Sequence, residues 1–262
     1  MTKIKAVAWD MDGTLANSEV LAMPMAVSAA ADYVQQQKPG TVINENDRVS
    51  FVKQTMGKTI KEIGHYVGEA YGVKMPDDLQ ERVTAQTIKI LAQQCKPIDG
   101  AIEAVQANRR QGLEQWIATS SAPERVAATL QPTGLIKEFP QQERDWFSAQ
   151  TTKPDPEVYD RSAATRGFQP KEIAAVEDSD TGVKAAKRHG AALIIGFTGG
   201  DHIPAADKAA HAEKLRAAGA HIVVTDLREV PKAIAAYNAT PRLEPGRPQA
   251  GLGTLQSAPA TN

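Results

Sequence analysis

The stretch Asp10-Met11-Asp12-Gly13-Thr14-Leu15 constrains this chain more than any other. Two carboxylates stand two residues apart, directly after the short and mostly apolar run Ile4-Lys5-Ala6-Val7-Ala8-Trp9. A run of that kind reads as a buried strand, and the Gly-Thr after the acids says that the strand has ended. Both acids therefore stand at the carboxyl end of a buried strand, the edge at which open α/β sheets place their ligands. Two acids there repel one another unless a cation, a proton or a bound cationic group compensates them. The competing explanation is a polar turn in which Asp serves turn chemistry alone. The rest of the chain decides between the two.

After Leu15 the pattern turns helical. Glu19 to Gln37 is rich in Ala, Val and Gln, with high helix propensity, and Pro39-Gly40 ends it. A polar loop over Asn44 to Asp47 leads into a segment from Arg48 to Gln54, which Gly57 breaks. Lys58 to Tyr71 reads as a second helix stopped by Gly72, and Pro76 opens a third over Asp77 to Gln94. No strand pattern falls between Asn17 and Gln94. From Pro97 onward strands and helices alternate. Strands are expected over 113–119, 146–149, 173–176, 191–197 and 220–224; helices over 99–111, 123–130, 157–166, 181–189, 205–218 and 227–237. Ser120-Ser121-Ala122-Pro123 reads as the cap and opening of the helix that follows it. Such alternation is the signature of a parallel sheet covered on both faces, and the first strand belongs to that sheet. The expected fold class is α/β: a Rossmann-like, doubly wound parallel core over 1–16 and 95–237, with an all-helical domain over 17–94 inserted into it. The last stretch, 238–262, has four prolines, three glycines and no periodicity, and reads as a disordered tail.

A chain of 262 residues, 42% hydrophobic and 23% charged, can build such a core. The formal net charge of -1 provides no basic field for nucleic acid or an anionic membrane, so an anionic ligand has to be met by a few local cations or a metal. The single Cys95 cannot form an internal disulfide, which fits a reducing compartment. The amino terminus enters a strand at once instead of forming a signal peptide, and no apolar run is long enough to span a bilayer. The expectation is a cytoplasmic protein without nucleic-acid or membrane partners.

Three more sets of polar residues stand at the ends of expected strands or on the loops after them: Ser120, Lys153 and the pair Glu177-Asp178. Strand ends of a parallel sheet lie on one edge, so these groups can converge with Asp10 and Asp12. Several acids suit a hard divalent cation; Mg²⁺ takes oxygen ligands and usually keeps waters and substrate phosphate oxygens. A lysine and a hydroxyl suit the remaining phosphate oxygens. A carboxylate not fully used by a metal can attack phosphorus.

Four ordered segments resemble those of the haloacid dehalogenase superfamily of phosphohydrolases. They are Asp10-Met11-Asp12-Gly13-Thr14-Leu15 with Asn17-Ser18-Glu19 after it, Ile117-Ala118-Thr119-Ser120-Ser121, Lys153-Pro154-Asp155-Pro156-Glu157-Val158-Tyr159, and the run from Val176 to Ala186 that begins Val-Glu-Asp-Ser-Asp. The resemblance implies that Asp10 is the nucleophile and Asp12 the acid and base. It implies that Ser120 and Lys153 hold the phosphoryl oxygens, with the choice among Thr119, Ser120 and Ser121 a matter of register. Asp178 and Glu177 are implied to bind Mg²⁺ beside Asp10 and the backbone carbonyl of Asp12. The helical insertion resembles the movable cap of the subfamily that holds phosphoglycolate phosphatase and β-phosphoglucomutase, with hinges near 15–18 and 94–98. Arg48, Lys53, Lys58, Lys61 and His65 are its candidates for the distal polar groups of a substrate. Trp9, Thr152 and the order Asp155-Pro156-Glu157 depart from the usual pattern without removing a catalytic group.

The implied activity is Mg²⁺-dependent hydrolysis of a small phosphorylated metabolite, a sugar phosphate or similar, by a monomer or weak homodimer. A phosphomutase of the β-phosphoglucomutase type is the main alternative. Dehalogenation at carbon goes with sequences lacking the second acid, so Asp12 argues against it. A non-catalytic binding protein is expected to have lost an acid or the lysine, and all are present.

Overall fold

The run Ala6-Val7-Ala8-Trp9 is buried at every position and forms β1, the strand that the sheet is built outward from. In the computed structural model, residues 2–55 and 58–240 are described. After β1 (Ala6–Trp9) come α1 (Glu19–Gln37), α2 (Glu45–Gln54), α3 (Ile60–Tyr71), α4 (Leu79–Gln94) and α5 (Ala101–Arg110). Then follow β2 (Glu114–Thr119), α6 (Pro123–Thr133), α7 (Gln142–Asp145), β3 (Trp146–Ser148), α8 (Glu157–Arg166), β4 (Ile173–Glu177) and α9 (Asp180–His189). β5 (Leu193–Phe197), α10 (Lys208–Ala218), β6 (Ile222–Val224) and α11 (Val230–Ala239) complete it.

The six strands form one parallel sheet in the order β3-β2-β1-β4-β5-β6. The chain leaves β1 to one side for β2 and β3, then crosses back to the other side for β4. That reversal opens the crevice at which doubly wound sheets bind ligands. Register carries it to residue level: Trp9 lies opposite Ile117 of β2 and Val176 of β4. Asp10, one step on, donates its backbone N–H to Val176 at 3.0 Å.

Alternation along the strands gives the sheet two apolar faces. Val7, Trp9, Ile117, Val176 and Ile195 point into one cluster with residues of α5, α6 and α11. Ala6, Ala8, Trp116, Ala118 and Ile194 point into the other with residues of α8, α9 and α10. The small side chains of Ala6, Ala8, Ala174 and Ala175 let helices approach the central strands closely.

The inserted helices have an apolar cluster of their own, built from Ala26, Val27, Ala30, Val34, Ile63, Val67 and Val83. Leu91 and Cys95 at the end of α4 belong instead to the sheet's cluster. The two segments that join helices to sheet are hydrogen-bonded to each other. Asn17 donates to Lys96 and Ile98 to Leu15, each at 2.9 Å, around an antiparallel bridge from Ala16 to Pro97.

Element types follow the sequence, and so do both ends of α1 and α8; several other ends do not. Asn44 to Asp47 is the start of a helix, not a loop, because Asn44 and Asp47 form a reciprocal capping box. Thr59 and Glu62 do the same for α3, so that helix begins at Ile60 rather than Lys58. Pro76 precedes a turn, and α4 begins at Leu79. α6 runs through Pro132 to Thr133, past the expected end at Leu130, and the Thr133 hydroxyl bonds the carbonyls of Thr129 and Leu130. Asn238 belongs to α11 rather than to a tail, and its side chain exchanges hydrogen bonds with the backbone of Ile4. The break expected at Gly57 and the tail from 241 onward lie outside the described residues. Among the described residues no helix is long and apolar enough to cross a membrane.

Leu91 is fully buried in the sheet's cluster although its helix belongs to the insertion. Leu91→Ala should lower unfolding free energy by about 2–5 kcal/mol, the usual range for such a cavity. Urea denaturation checks this; a loss below about 1 kcal/mol contradicts the packing described.

Candidate active site

Asp10 is the first residue past β1, and the turn after it is set by Gly13, whose φ of +79° lies in the left-handed region. A Cβ on Gly13 would lie 2.3 Å from Asp178 Oδ2. The bare glycine is thus what lets the carboxylate after β4 approach the loop after β1. Thr14 Oγ1 donates to Asp178 Oδ1 at 3.3 Å, and His202, from the loop after β5, places Nε2 3.0 Å from Asp178 Oδ2. His211 Nε2, on α10, donates to the Asp178 carbonyl at 2.6 Å.

Lys153 lies on the loop before α8 and has a side chain only 6% exposed. Its Nζ donates to Asp10 Oδ1 at 2.6 Å, to Glu177 Oε1 at 2.6 Å and to the Ala118 carbonyl at 2.9 Å. All three ammonium protons are therefore used. Burial pushes the Asp10 carboxyl well above its usual range; Lys153 opposes this and the nearby Glu177 and Asp178 add to it. Burial likewise raises Glu177, against Lys153 and the Tyr159 hydroxyl, which donates to Glu177 Oε1. Lys153 is held protonated: burial disfavours its charge, but Asp10 and Glu177 outweigh that.

Asp12 faces a different set of groups. Its Oδ1 accepts from Ser18 Oγ at 2.5 Å and from an Arg125 NH2 at 2.7 Å, and its Oδ2 from Ser121 Oγ at 2.5 Å. Burial raises its pKa, yet Arg125 and the two hydroxyls together hold it below the carboxylate range. Neither hydroxyl caps a helix. Ser18 precedes α1 without a side-chain cap, and the N-cap of α6 is Ala122, so the expected capping by Ser120-Ser121 is not realised. Glu19, at the start of α1, is pushed up to about 7 by burial and by the charge of Asp178.

Asp10, Glu177 and Asp178 each offer a carboxylate oxygen, all within 4.8 Å of one another and all on buried residues. Three carboxylates face one ammonium and the ring of His202, and among the described residues Glu177 Oε2 is buried without a hydrogen-bond partner. An all-oxygen, acid-rich donor set of this kind fits a hard divalent cation. The Asp12 side chain is not among the three.

Asp10, Asp12, Lys153 and Asp178 line a cavity of about 380 Å³, into which Thr119, Ser120, Ser121, Arg125 and, from the helical insertion, Lys58 also open; Glu177 lies buried behind it. A larger cavity of about 600 Å³ beside Asn17 and Lys96 contains none of the converged acids. Ser120 is exposed, and among the described residues its hydroxyl meets only the Lys153 backbone N–H, at 3.5 Å. Thr119 is buried at the strand end and Ser121 reaches Asp12, so the hydroxyls that flank Ser120 are the better fixed. Of the insertion's candidates, Lys58 alone lines the cavity. Arg48 ties α2 to α1 through Asp32, Gln35 and the Ser28 carbonyl. His65 pairs with Glu69 at 3.2 Å on the surface, and Lys53 and Lys61 are exposed away from the cavity. Arg125, Tyr159 and His202 were not singled out by sequence. Tyr159 lay within a quoted motif; Arg125 and His202 carry no local signal, because tertiary packing alone brings them in.

The profile of haloacid dehalogenase-like hydrolases matches residues 4–190. The β-phosphoglucomutase of Mycobacterium bovis is 35% identical over 137 residues, 50% of this chain and 48% of that protein. A phosphorylated carbohydrates phosphatase of Thermotoga maritima is 27% identical over 74% of this chain and 85% of that protein. A chloroplastic protein of Arabidopsis thaliana is matched over 17% of its length, so the chain spans less than half of some relatives. The crystal structure of a conserved haloacid dehalogenase-like protein of unknown function from Agrobacterium tumefaciens superposes with a TM-score of 0.69 at 25% identity, covering 89% of this chain and 99% of that one. With its sheet order and acid cluster, the chain belongs to the haloacid dehalogenase-like hydrolase family.

Lys153→Met strands Asp10 and Glu177 as buried carboxylates without their cation. Removing one partner of such a pair costs about 3–5 kcal/mol near neutral pH. Both carboxyls should then hold their protons more tightly in the folded than in the unfolded chain, so stability rises as pH falls from neutrality toward the unfolded carboxyl pKa of about 4. The urea midpoint of the variant should be higher at about pH 5.5 than at about pH 7.5; a midpoint that falls with acidification contradicts the ion-pair account.

Proposed function

We propose that this protein is a Mg²⁺-dependent phosphatase of a small phosphorylated metabolite, a sugar phosphate or close relative, working through a phosphorylated Asp10. The observation that carries the reading is the division of labour between the two acids of the first loop. Asp10 sits against Lys153 and beside Asp178 and Glu177. Asp12 is turned away from the acid trio toward Ser18, Ser121 and Arg125.

In the first half of the reaction an Asp10 carboxylate oxygen attacks phosphorus. The bond to the ester oxygen breaks, and Asp12 supplies that oxygen with a proton. In the second half Asp12 takes a proton from water as the water attacks the phosphoryl group, which releases inorganic phosphate and frees Asp10. Asp12 as found, a carboxylate held by three donors, is in the base form that this second step requires; the acid form requires those contacts to loosen. Lys153 neutralises Asp10 and offers its charge to the transferring oxygens, with a hydroxyl of Thr119, Ser120 or Ser121 beside it. Asp10, Asp178, Glu177 and the Asp12 carbonyl are the groups that would hold Mg²⁺, which when bound offsets the charge on the phosphoryl oxygens. Residues 17–94 serve as a cap over the site, moving about the paired segments near Ala16 and Pro97 and excluding water. The net charge of -1 supports a small-molecule partner over nucleic acid or membrane, and the single Cys95 fits a cytoplasmic protein, proposed here as a monomer or weak homodimer.

A phosphomutase remains the second reading, favoured by the 35% identity to β-phosphoglucomutase over half of the chain. Mg²⁺-dependent phosphate release supports hydrolysis; interconversion of sugar 1- and 6-phosphates without release supports the mutase. Asp10→Asn should abolish turnover of a phosphorylated-sugar panel while the circular dichroism spectrum is kept. Retained turnover removes Asp10 as nucleophile. EDTA should stop the reaction, Mg²⁺ restore it and Ca²⁺ restore it poorly, since Ca²⁺ prefers looser coordination; full activity in EDTA contradicts the metal assignment.

A further inference from the structure

The loop between β5 and α10 touches both the acid trio and the segments that lead to the insertion. Its His202 has a side chain 7% exposed and places Nε2 3.0 Å from Asp178 Oδ2. That nitrogen carries the proton, because an ionised carboxylate only accepts. Nδ1 is buried, and among the described residues it has no hydrogen-bond partner. Asp178 is thus the ring's one hydrogen-bonding partner among them. Backbone makes the space for the ring: a Cβ on Gly13 would lie 2.8 Å from it, and a Cβ on Gly200 2.7 Å. The neighbouring Asp201 reaches Asn17 instead. It accepts from Asn17 Nδ2 at 2.9 Å, and its backbone N–H donates to Asn17 Oδ1 at 3.3 Å. Asn17 also gives its own N–H to the Lys96 carbonyl, so one residue joins both connecting segments to this loop. Cavities of about 600 and 630 Å³ both border Asn17, Lys96 and Asp201, which leaves these segments room to shift.

We propose that His202 is a positioning residue for Asp178 as a cation ligand, and that the Asn17–Asp201 pair ties its hold to the position of the insertion. A hydrogen bond from outside fixes the orientation of a ligating carboxylate, and losing such a partner weakens metal binding by about 10–100-fold. Packing alone does not account for the ring. An imidazole buried with one nitrogen unpaired carries a desolvation cost, and glycine at two positions is what admits it. His202 and Asp201 are adjacent, with Cα atoms about 3.8 Å apart. A displacement of Asn17 that carries Asp201 with it therefore shifts the imidazole against Asp178. Coupling of this kind is reciprocal, so a cation held by Asp178 steadies the connecting segments. The inference rests on the cation assignment above and adds to it a link from the insertion to one ligand.

Mn²⁺ serves as the probe, because the paramagnetic resonance signal of the free ion reports binding without turnover. Its affinity is measured on the substrate-free full chain for the wild type, His202→Ala, His202→Gln and Asn17→Ala. His202→Ala should bind Mn²⁺ about tenfold more weakly or worse. His202→Gln, whose amide can donate to the same oxygen, should recover most of the loss, which a role in packing alone would not give. Asn17 is neutral and does not line the cavity of the acids, yet Asn17→Ala should weaken binding by about threefold. Hydrogen exchange read by mass spectrometry supplies the reciprocal measurement. Mn²⁺ should slow exchange in the peptide that covers residues 94–98 of the wild type and leave it unchanged in Asn17→Ala. Should His202→Ala not fold, His202→Asn, whose shorter amide falls short of Asp178, is read in its place. Wild-type Mn²⁺ affinity in the variant without the imidazole overturns the positioning role. Wild-type affinity and a wild-type exchange response in Asn17→Ala overturn the link to the insertion. Both outcomes leave the cation assignment standing; a wild type that binds neither Mn²⁺ nor, by calorimetry, Mg²⁺ overturns that assignment and the inference together.

Discussion

One ammonium group lies among three buried carboxylates, and most of what surrounds it follows from that placement. Lys153 is shut off from water, and each of its three protons is given to a fixed acceptor, two of them carboxylates. A buried charge of either sign is costly unless paired and hydrogen-bonded. Glu177 depends on Lys153 and Tyr159; Asp10 depends on Lys153; and Asp178, with no lysine of its own, is held by Thr14 and His202. The oxygen donors of Asp10, Glu177 and Asp178, gathered within 4.8 Å of one another, are a set that fits a hard cation.

The backbone has to bring these groups together at close range, and glycine permits it at two places. Gly13 gives Asp178 room beside the first loop. A Cβ on Gly182 would come within 1.8 Å of Glu177 Oε2, so α9 can begin against the carboxylate only without a side chain there. The sheet order does the rest, because β1 lies between β2 and β4 and all three end on the same edge. Residues separated by more than a hundred positions, such as Asp10 and Lys153 or Asp12 and Arg125, are thereby neighbours.

The parallel core, the helical insertion and the positions of Asp10, Asp12, Lys153, Glu177 and Asp178 were legible in sequence, since buried strands followed by acids and turn residues leave a local pattern. Helix starts were less so. Asn44 and Thr59 act through side-chain bonds to the backbone three residues on, and that reciprocity is easily taken for a polar loop. The hydroxyl of the second motif was read as Ser120 on the strength of its place after the strand; Thr119 is buried at the strand end and Ser121, on the bend beyond, reaches Asp12, so all three hydroxyls border the same cavity. The insertion's cations could not be sorted by sequence. Arg48, Lys53 and His65 carry the same charge pattern as Lys58, and only tertiary placement separates the one that faces the cavity from those that pair with neighbours or with water.

The central claim is that Asp10 carries the phosphoryl group between substrate and water. Rapid acid quench during turnover with Mg²⁺, followed by borohydride reduction and peptide mass spectrometry, tests it most directly, because borohydride reduces an acyl phosphate and spares a free carboxylate. The account predicts conversion of the Asp10 side chain to an alcohol in the peptide that contains residues 10–12, only when substrate is present, and no change at Asp12. Reduction at Asp12 instead, or an unmodified peptide under conditions of steady phosphate release, would contradict it.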